Sequence, residues 1–279
     1  MAKEQKFDGK TEHGSKPKER SGEEILRQLR HVQDGNPGKH PVVGKKRNRR
    51  PEELNWTKKS IFFELPYWHK HLLHHNLDVM HIEKNICESV LGTLLNIDGK
   101  SKDTLKARLD LVDMGIRAEL HPEHRGDSYV VPPACYTLSP DERRDIAEFL
   151  KSVKFPDGYA SNIARCVSEK DHKVSGMKSH DCHVLLQRLL PIAIRKCLPK
   201  DVYTALVELS FFFKELCCKT LKLQVLEKLE NDIAKILCKL EAIFPPAFFD
   251  VMVHLAIHLP HEAMLAGPVQ YRWMYAIER

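Results

Sequence analysis

The chain has 279 residues, 42% of them hydrophobic and 29% charged, with a formal net charge of +6. That is the balance of a soluble globular protein with enough chain for one or two domains. No apolar run reaches the roughly 18 to 20 residues of a membrane span, and Met1-Ala2-Lys3-Glu4-Gln5-Lys6 has no apolar core behind its charges, which excludes a secretory signal.

The charge is uneven. Residues 1–60 hold 16 Lys+Arg against 9 Asp+Glu, and the remaining 219 hold 28 against 29. A basic arm of this kind can bind nucleic acid or an import receptor, or be a solvated tail. The eight cysteines form no C-x-x-C pair and mostly lie in apolar helical stretches. They read as small hydrophobes in a reducing, intracellular compartment.

Residues 1–55 are polar and almost free of aromatic residues, so they are expected to form a disordered arm. One short helix is possible over Glu23 to Val32, with Ile25, Leu26 and Leu29 on one side, stopped by Gly35-Asn36-Pro37-Gly38. The run Lys45-Lys46-Arg47-Asn48-Arg49-Arg50 marks Lys45, Lys46, Arg47, Arg49 and Arg50 as a nuclear-import or phosphate-contacting patch. Folded structure should begin near Trp56. Ile61-Phe62-Phe63-Glu64-Leu65 is a strand or a docking segment, ended by Pro66.

Residues 78 to 95 carry apolar side chains at helical period, and Gly99 closes that helix. Ser101 can cap a second helix bearing Leu105, Leu109, Val112 and Ile116. Residues 121 to 135 read as a loop. Ser139-Pro140-Asp141-Glu142 is a capping box with proline at the first helical position, so a helix should run to about Ser152, with Ile146, Phe149, Leu150 and Val153 inward. Helices are then predicted over 182–197, with a possible kink at Pro191, over 201–218, over 222–243 with Leu226, Leu229, Ile233, Ile236, Leu237 and Leu240 as its apolar positions, and over 247–259. The fold class expected is mainly α: a multi-helix array with a disordered basic N-terminal arm. The chain stops inside an aromatic segment (Tyr271, Trp273, Tyr275), which reads as a truncation.

Three groups can carry chemistry. Asp78-x-x-His81 opens a helix after His69, His71, His74 and His75. A carboxylate and an imidazole three apart share a helix face and can bind a metal, position a water or orient each other; on spacing alone, a helix-capping Asp and a hydrogen-bonded His is the simpler reading. His180-Asp181-Cys182-His183 contains metal ligands but no second cluster at zinc-site spacing, and Asp181 can cap the helix that follows. His254 and His258 lie at i, i+4, but Leu255 stands where a metalloprotease needs Glu, so hydrogen-bonded core histidines are expected. No phosphate loop, nucleotide fingerprint or G-x-S-x-G is present, and no metal site is expected.

Several strings, in order along the chain, resemble plant CACTA-type (En/Spm-like) transposases. They are Asn55-Trp56-Thr57-Lys58-Lys59-Ser60-Ile61-Phe62-Phe63-Glu64-Leu65-Pro66-Tyr67-Trp68, His75-Asn76-Leu77-Asp78-Val79-Met80-His81-Ile82-Glu83-Lys84-Asn85, Leu109 to Arg117, Pro132 to Tyr136, Lys178 to His183, Phe244 to Asp250, Gly267-Pro268-Val269 and Arg272 to Tyr275. The resemblance covers about residues 20 to 279. It implies a remnant of the helical insertion or C-terminal part of an RNase H-like core, and from about residue 185 a transposase-associated domain of unknown function. Such cores hold two Mg²⁺ ions on three acidic residues to cleave and join DNA strands.

The first two acids and a C-x-x-C pair would lie upstream of this sequence. Asp78 and His81 correspond to the family's D-x-x-H motif and Glu278 to the third acid, although Ala276 stands where the family has proline. The domains expected are a basic arm (1–55), a core remnant with the D-x-x-H motif (56–135) and a truncated helical domain (136–279). The resemblance implies a transposon-derived fragment, inactive on its own and without a cofactor of its own. It would bind DNA weakly and salt-dependently, or protein partners, and reside in the nucleus or otherwise the cytoplasm. The alternatives are a part of an active DDE-type transposase completed by another chain, and a helical nuclear interaction module.

Overall fold

The computed structural model describes residues 18–30, 32, 59–160, 162–168 and 173–274. They fall into two compact units that divide between Asn76 and Leu77. The basic run at 45–50 and Glu278 lie outside the described residues.

In the first unit, Ser21 opens helix α1 (Gly22–Leu29) with a full capping box: the Glu24 amide donates to Ser21 Oγ at 3.2 Å and the Ser21 amide to Glu24 Oε2 at 2.9 Å. The helix packs on a 3₁₀ turn, Trp68–Lys70. Glycine is required at the contact, since a Cβ on residue 22 would sit 2.2 Å from the His69 carbonyl oxygen. Ile61–Glu64 is a 3₁₀ turn rather than a strand. It has no ladder partner, and Phe62 instead folds back to stack on Trp68 at 4.7 Å between ring centroids.

The second unit is a helical array around one core. Helix α2 (Val79–Leu94) is buried on nearly every side, as its dense apolar sequence demands, and packs against α5 (Ser179–Val184) and α9 (Val251–Leu255). Helix α3 (Leu105–Met114) is capped by Thr104, not Ser101, and ends at Gly115 in the left-handed conformation (φ 67°). Its inward face is Ala107, Arg108 and Leu111, while Leu105 and Val112 are exposed. The apolar pattern misphases this helix because it treats arginine as outward-facing. Arg108 is buried, held by a two-pronged pair with Asp103 and by the Leu120 carbonyl at 3.0 Å. The stretch read as loop contains a small exposed hairpin, β1 (Glu123–Arg125) against β2 (Ser128–Val130), turning on Gly126-Asp127.

Helix α4 (Pro140–Ser152) carries the predicted capping box. The predicted 182–197 helix is a composite: α5, a π-helical turn Leu185–Leu189, and α6 (Leu190–Ala193). Pro191 has no N–H to return to residue 187, and the wide turn absorbs the missing bond. Helices α7 (Lys200–Leu216) and α8 (Leu223–Ile243) pack together, and all six core positions predicted for α8, from Leu226 to Leu240, are buried. The helix predicted over 247–259 is broken into a 3₁₀ turn Pro246–Phe248, α9 and a 3₁₀ turn Ala256–His258, and α10 (Leu259–Ala266) runs on past its predicted end. Pro260 cannot donate to the Ala256 carbonyl, so the Leu259 amide does.

No boundary appears at residue 136. Helix α2, before it, packs against α5 and α9, after it, so segments expected in separate domains share one core; within that core Tyr136 packs on Phe244 at 4.8 Å and Phe244 stacks on Phe248 at 4.4 Å. A non-glycine residue in the left-handed region, Arg117 (φ 52°), reaches from the end of α3 to the last carbonyls of α8. Its guanidinium donates to Phe244 O at 2.8 Å, Ile243 O at 3.1 Å and Glu241 O. A cation on the orphan carbonyls of a helix C-terminus is favoured by the helix dipole. No helix among the described residues is long and apolar enough to cross a membrane.

Candidate functional site

Asp78 is the N-cap of α2, its Oδ1 accepting from the Met80 amide at 3.1 Å. His81, one turn on, is exposed, and its carbonyl accepts from Asn85. The pair that marks the motif therefore flanks the start of a core helix, with the carboxylate engaged in the helix itself. His254 and His258 are exposed, with rings edge to face at 5.3 Å, so they are not the core histidines expected.

The chemistry of the second unit lies one turn deeper on α2. Glu83 is 1% exposed, in the middle of a helix otherwise packed with apolar residues. Burying an unpaired carboxylate costs several kcal/mol, so its partners decide whether the position is tolerable. Glu83 Oε2 lies 2.7 Å from His183 Nδ1, and Glu83 Oε1 accepts from Gln187 Nε2 at 2.8 Å. Gln187 Nε2 is also 3.1 Å from His183 Nδ1. Cys217, at the C-terminal end of α7, completes the cluster: one ligand atom each from Glu83, His183 and Cys217 lie within 4.8 Å of one another. Burial, with the Glu83 charge beside it, pushes the Cys217 thiol well above the usual thiol range.

The surroundings are built to hold these groups. Asp181, in the first turn of α5, accepts from the amide of the N-cap Lys178 at 2.9 Å and pairs with Arg165, which fixes the helix that presents His183. The Trp273 and His183 rings meet perpendicular to each other, 6.0 Å between centroids. Cys87 on α2 shares a hydrogen bond with Cys182 on α5; that bond and burial hold its thiol well above the ordinary value. A second buried acid, Glu262 on α10, accepts from the Leu77 amide and from Arg272, each at 3.1 Å.

Of the H-D-C-H segment, Asp181 is not the cap of a helix that follows it, as the sequence suggests, but lies inside α5 and accepts from the amide of its N-cap, Lys178; sequence reasoning assigned His183 no partner. His183 and Gln187 sit four residues apart and Glu83 five beyond Asp78, yet nothing in their spacing joins them across a hundred residues. Cys217 was read as apolar filler. The arrangement gathers a carboxylate from α2, an imidazole from α5, an amide from the π turn and a thiol from the end of α7 into one polar cluster.

No curated protein and no solved structure matches the chain. Residues 216–279 match the family model of a domain of unknown function, DUF4218. That stretch begins at the last residue of α7, includes Cys217, α8, α9, α10 and Trp273, and leaves Glu83 and His183 outside it.

Proposed function

We propose that this chain is a transposase-derived helical module that engages DNA or protein partners and does not cleave DNA by itself. The observation that carries the reading is the state of Asp78, whose carboxylate caps α2 while His81 sits apart on the exposed side. A metal-holding acid of a strand-transfer enzyme needs its oxygens for the ions and for other acids beside it. The ancestry rests on the motif strings, and the DUF4218 match falls in the stretch that the resemblance gives to a domain of unknown function.

The DNA contact belongs to the basic run Lys45, Lys46, Arg47, Arg49 and Arg50, which also addresses the chain to the nucleus. If all five neutralise phosphates, the logarithm of the affinity for duplex DNA should fall with the logarithm of salt at a slope of roughly −4 to −5. Fluorescence anisotropy of the full chain and of a deletion of residues 1–55 measures this, and unchanged affinity in the deletion would remove the arm from the interface. Incubation of transposon-end DNA with Mg²⁺ tests the rest. Nicking that disappears in Asp78→Ala or Glu278→Ala would establish the alternative, a catalytic part of a DDE-type transposase.

A further inference from the structure

We propose that Glu83, His183 and Cys217 form a binding site for one borderline divalent cation, zinc first, that ties α2, α5 and the end of α7 together. Among the described residues this is the one place where three such ligand atoms converge, all within 4.8 Å of one another. Zinc bonds of about 2.0–2.3 Å in a tetrahedron place ligand atoms roughly 3.3–3.8 Å apart. Small side-chain rotations therefore suffice to close the site. The ligand set is nitrogen, sulfur and carboxylate oxygen, which selects zinc over Mg²⁺ or Ca²⁺, whose sites are built from oxygen.

One contact in the cluster, Gln187 Nε2 to His183 Nδ1 at 3.1 Å, is awkward when only hydrogen atoms join the groups. Gln187 must turn its NH₂ toward Glu83 Oε1, since the reversed amide would set two acceptor oxygens against each other at 2.8 Å. That same nitrogen lies 3.1 Å from His183 Nδ1, which in turn lies 2.7 Å from Glu83 Oε2. With a proton on Nδ1, the contact to Gln187 opposes donor to donor. With the proton on Glu83 instead, the single lone pair of Nδ1 would have to accept from both neighbours. A cation bound by Nδ1 and Oε2 uses both lone pairs and leaves Gln187 donating to Oε1, where it orients the liganding carboxylate. Cys217 supplies the third ligand as a thiolate, its proton leaving to solvent, and a water fills the fourth position. The ion also neutralises a carboxylate that is 1% exposed in an apolar helix.

The test uses the full, tag-free chain stripped with a chelator and titrated with Co²⁺, then Zn²⁺. One equivalent of Co²⁺ should bind with tetrahedral d–d bands and a sulfur-to-cobalt charge-transfer band, and Zn²⁺ should displace it. Cys217→Ser should abolish the charge-transfer band, Glu83→Gln and His183→Gln should lose stoichiometric binding, and Gln187→Leu should weaken it roughly 10–100-fold, as loss of an orienting partner does. The neighbouring Cys218→Ser and the exposed Cys135→Ser should bind as the parent does. X-ray absorption at the zinc edge of the unsubstituted chain removes dependence on variants that fail to fold: one sulfur among nitrogen and oxygen neighbours is expected. No stoichiometric metal, a zinc with no sulfur or with several, or a charge-transfer band that survives Cys217→Ser would overturn the site.

Discussion

Arg117→Ala tests the contact that fastens the end of α3 to the end of α8. The guanidinium serves three carbonyls, those of Glu241, Ile243 and Phe244, at the C-terminus of a 21-residue helix. A hydrogen bond to a charged group nets about 1.5–3 kcal/mol, and a cation at a helix C-terminus adds about 0.3–1 kcal/mol. The three bonds share one side chain and that to Glu241 is exposed, so they do not sum; a loss of about 2–4 kcal/mol is expected. The backbone supplies an internal control. Residue 117 has φ 52°, a conformation that costs an L-residue roughly 1–2 kcal/mol and glycine nothing. Arg117→Gly should therefore unfold at higher urea than Arg117→Ala although it deletes the same bonds, and Arg117→Lys, which keeps a charge without the planar fork, should fall between parent and alanine. Urea titrations followed by far-ultraviolet circular dichroism read all three. Arg117→Ala within about 0.5 kcal/mol of the parent would refute the cap, and glycine less stable than alanine would refute the strain.

Two further outcomes follow from single contacts. Burial raises the Asp250 carboxyl, but the hydrogen bond from Lys102 and the amides of Val253 and Met252 outweigh it and hold the pKa below the ordinary value. A carboxyl depressed in the folded state contributes stability above its unfolded pKa of about 3.9 and loses it as pH falls through the lower folded value. Asp250→Asn keeps an N-cap on α9 but not the charge, so its melting temperature should drop relative to the parent near neutrality and converge with it in acid; parallel curves would contradict this. Gly22→Ala would force a methyl to 2.2 Å from the His69 carbonyl and 2.4 Å from His74 Nε2. It should undock α1 at a cost of about 1–3 kcal/mol, as overpacking does, and raise hydrogen exchange in residues 22–29 while leaving that of α2 unchanged.

The helices were legible where local chemistry alone sets them. Ser139, Pro140 and Glu142 specify α4 by capping, and the spacing from Leu226 to Leu240 gave the buried face of α8 residue by residue. Legibility failed where a distant partner decides. Arg108 turned α3 because Asp103 and Leu120 receive its charge, and Ile61–Glu64 became a turn because Trp68 offered Phe62 a face and no strand offered a ladder. Prolines gave positions without outcomes. Pro191 and Pro260 each deny a carbonyl its amide, but whether the chain widens to a π turn or tightens to a 3₁₀ turn depends on what packs beside it.

The same division separates the two sites. Asp78-x-x-His81 is visible because it is contiguous, and contiguity is what a resemblance detects; the structure gives Asp78 the local work of a helix cap. Glu83 lies in the same string, one and a half turns from Asp78, and reads from sequence as one more polar position on an amphipathic helix. Its helix is covered by α5 and α9, and its chemistry comes from His183, Gln187 and Cys217. A buried acid on a core helix is tolerated only with partners, so its burial points to residues elsewhere in the chain that must answer it. In this chain that buried acid leads to a defined set of ligand atoms, while the motif with the stronger family signature leads only to the end of a helix.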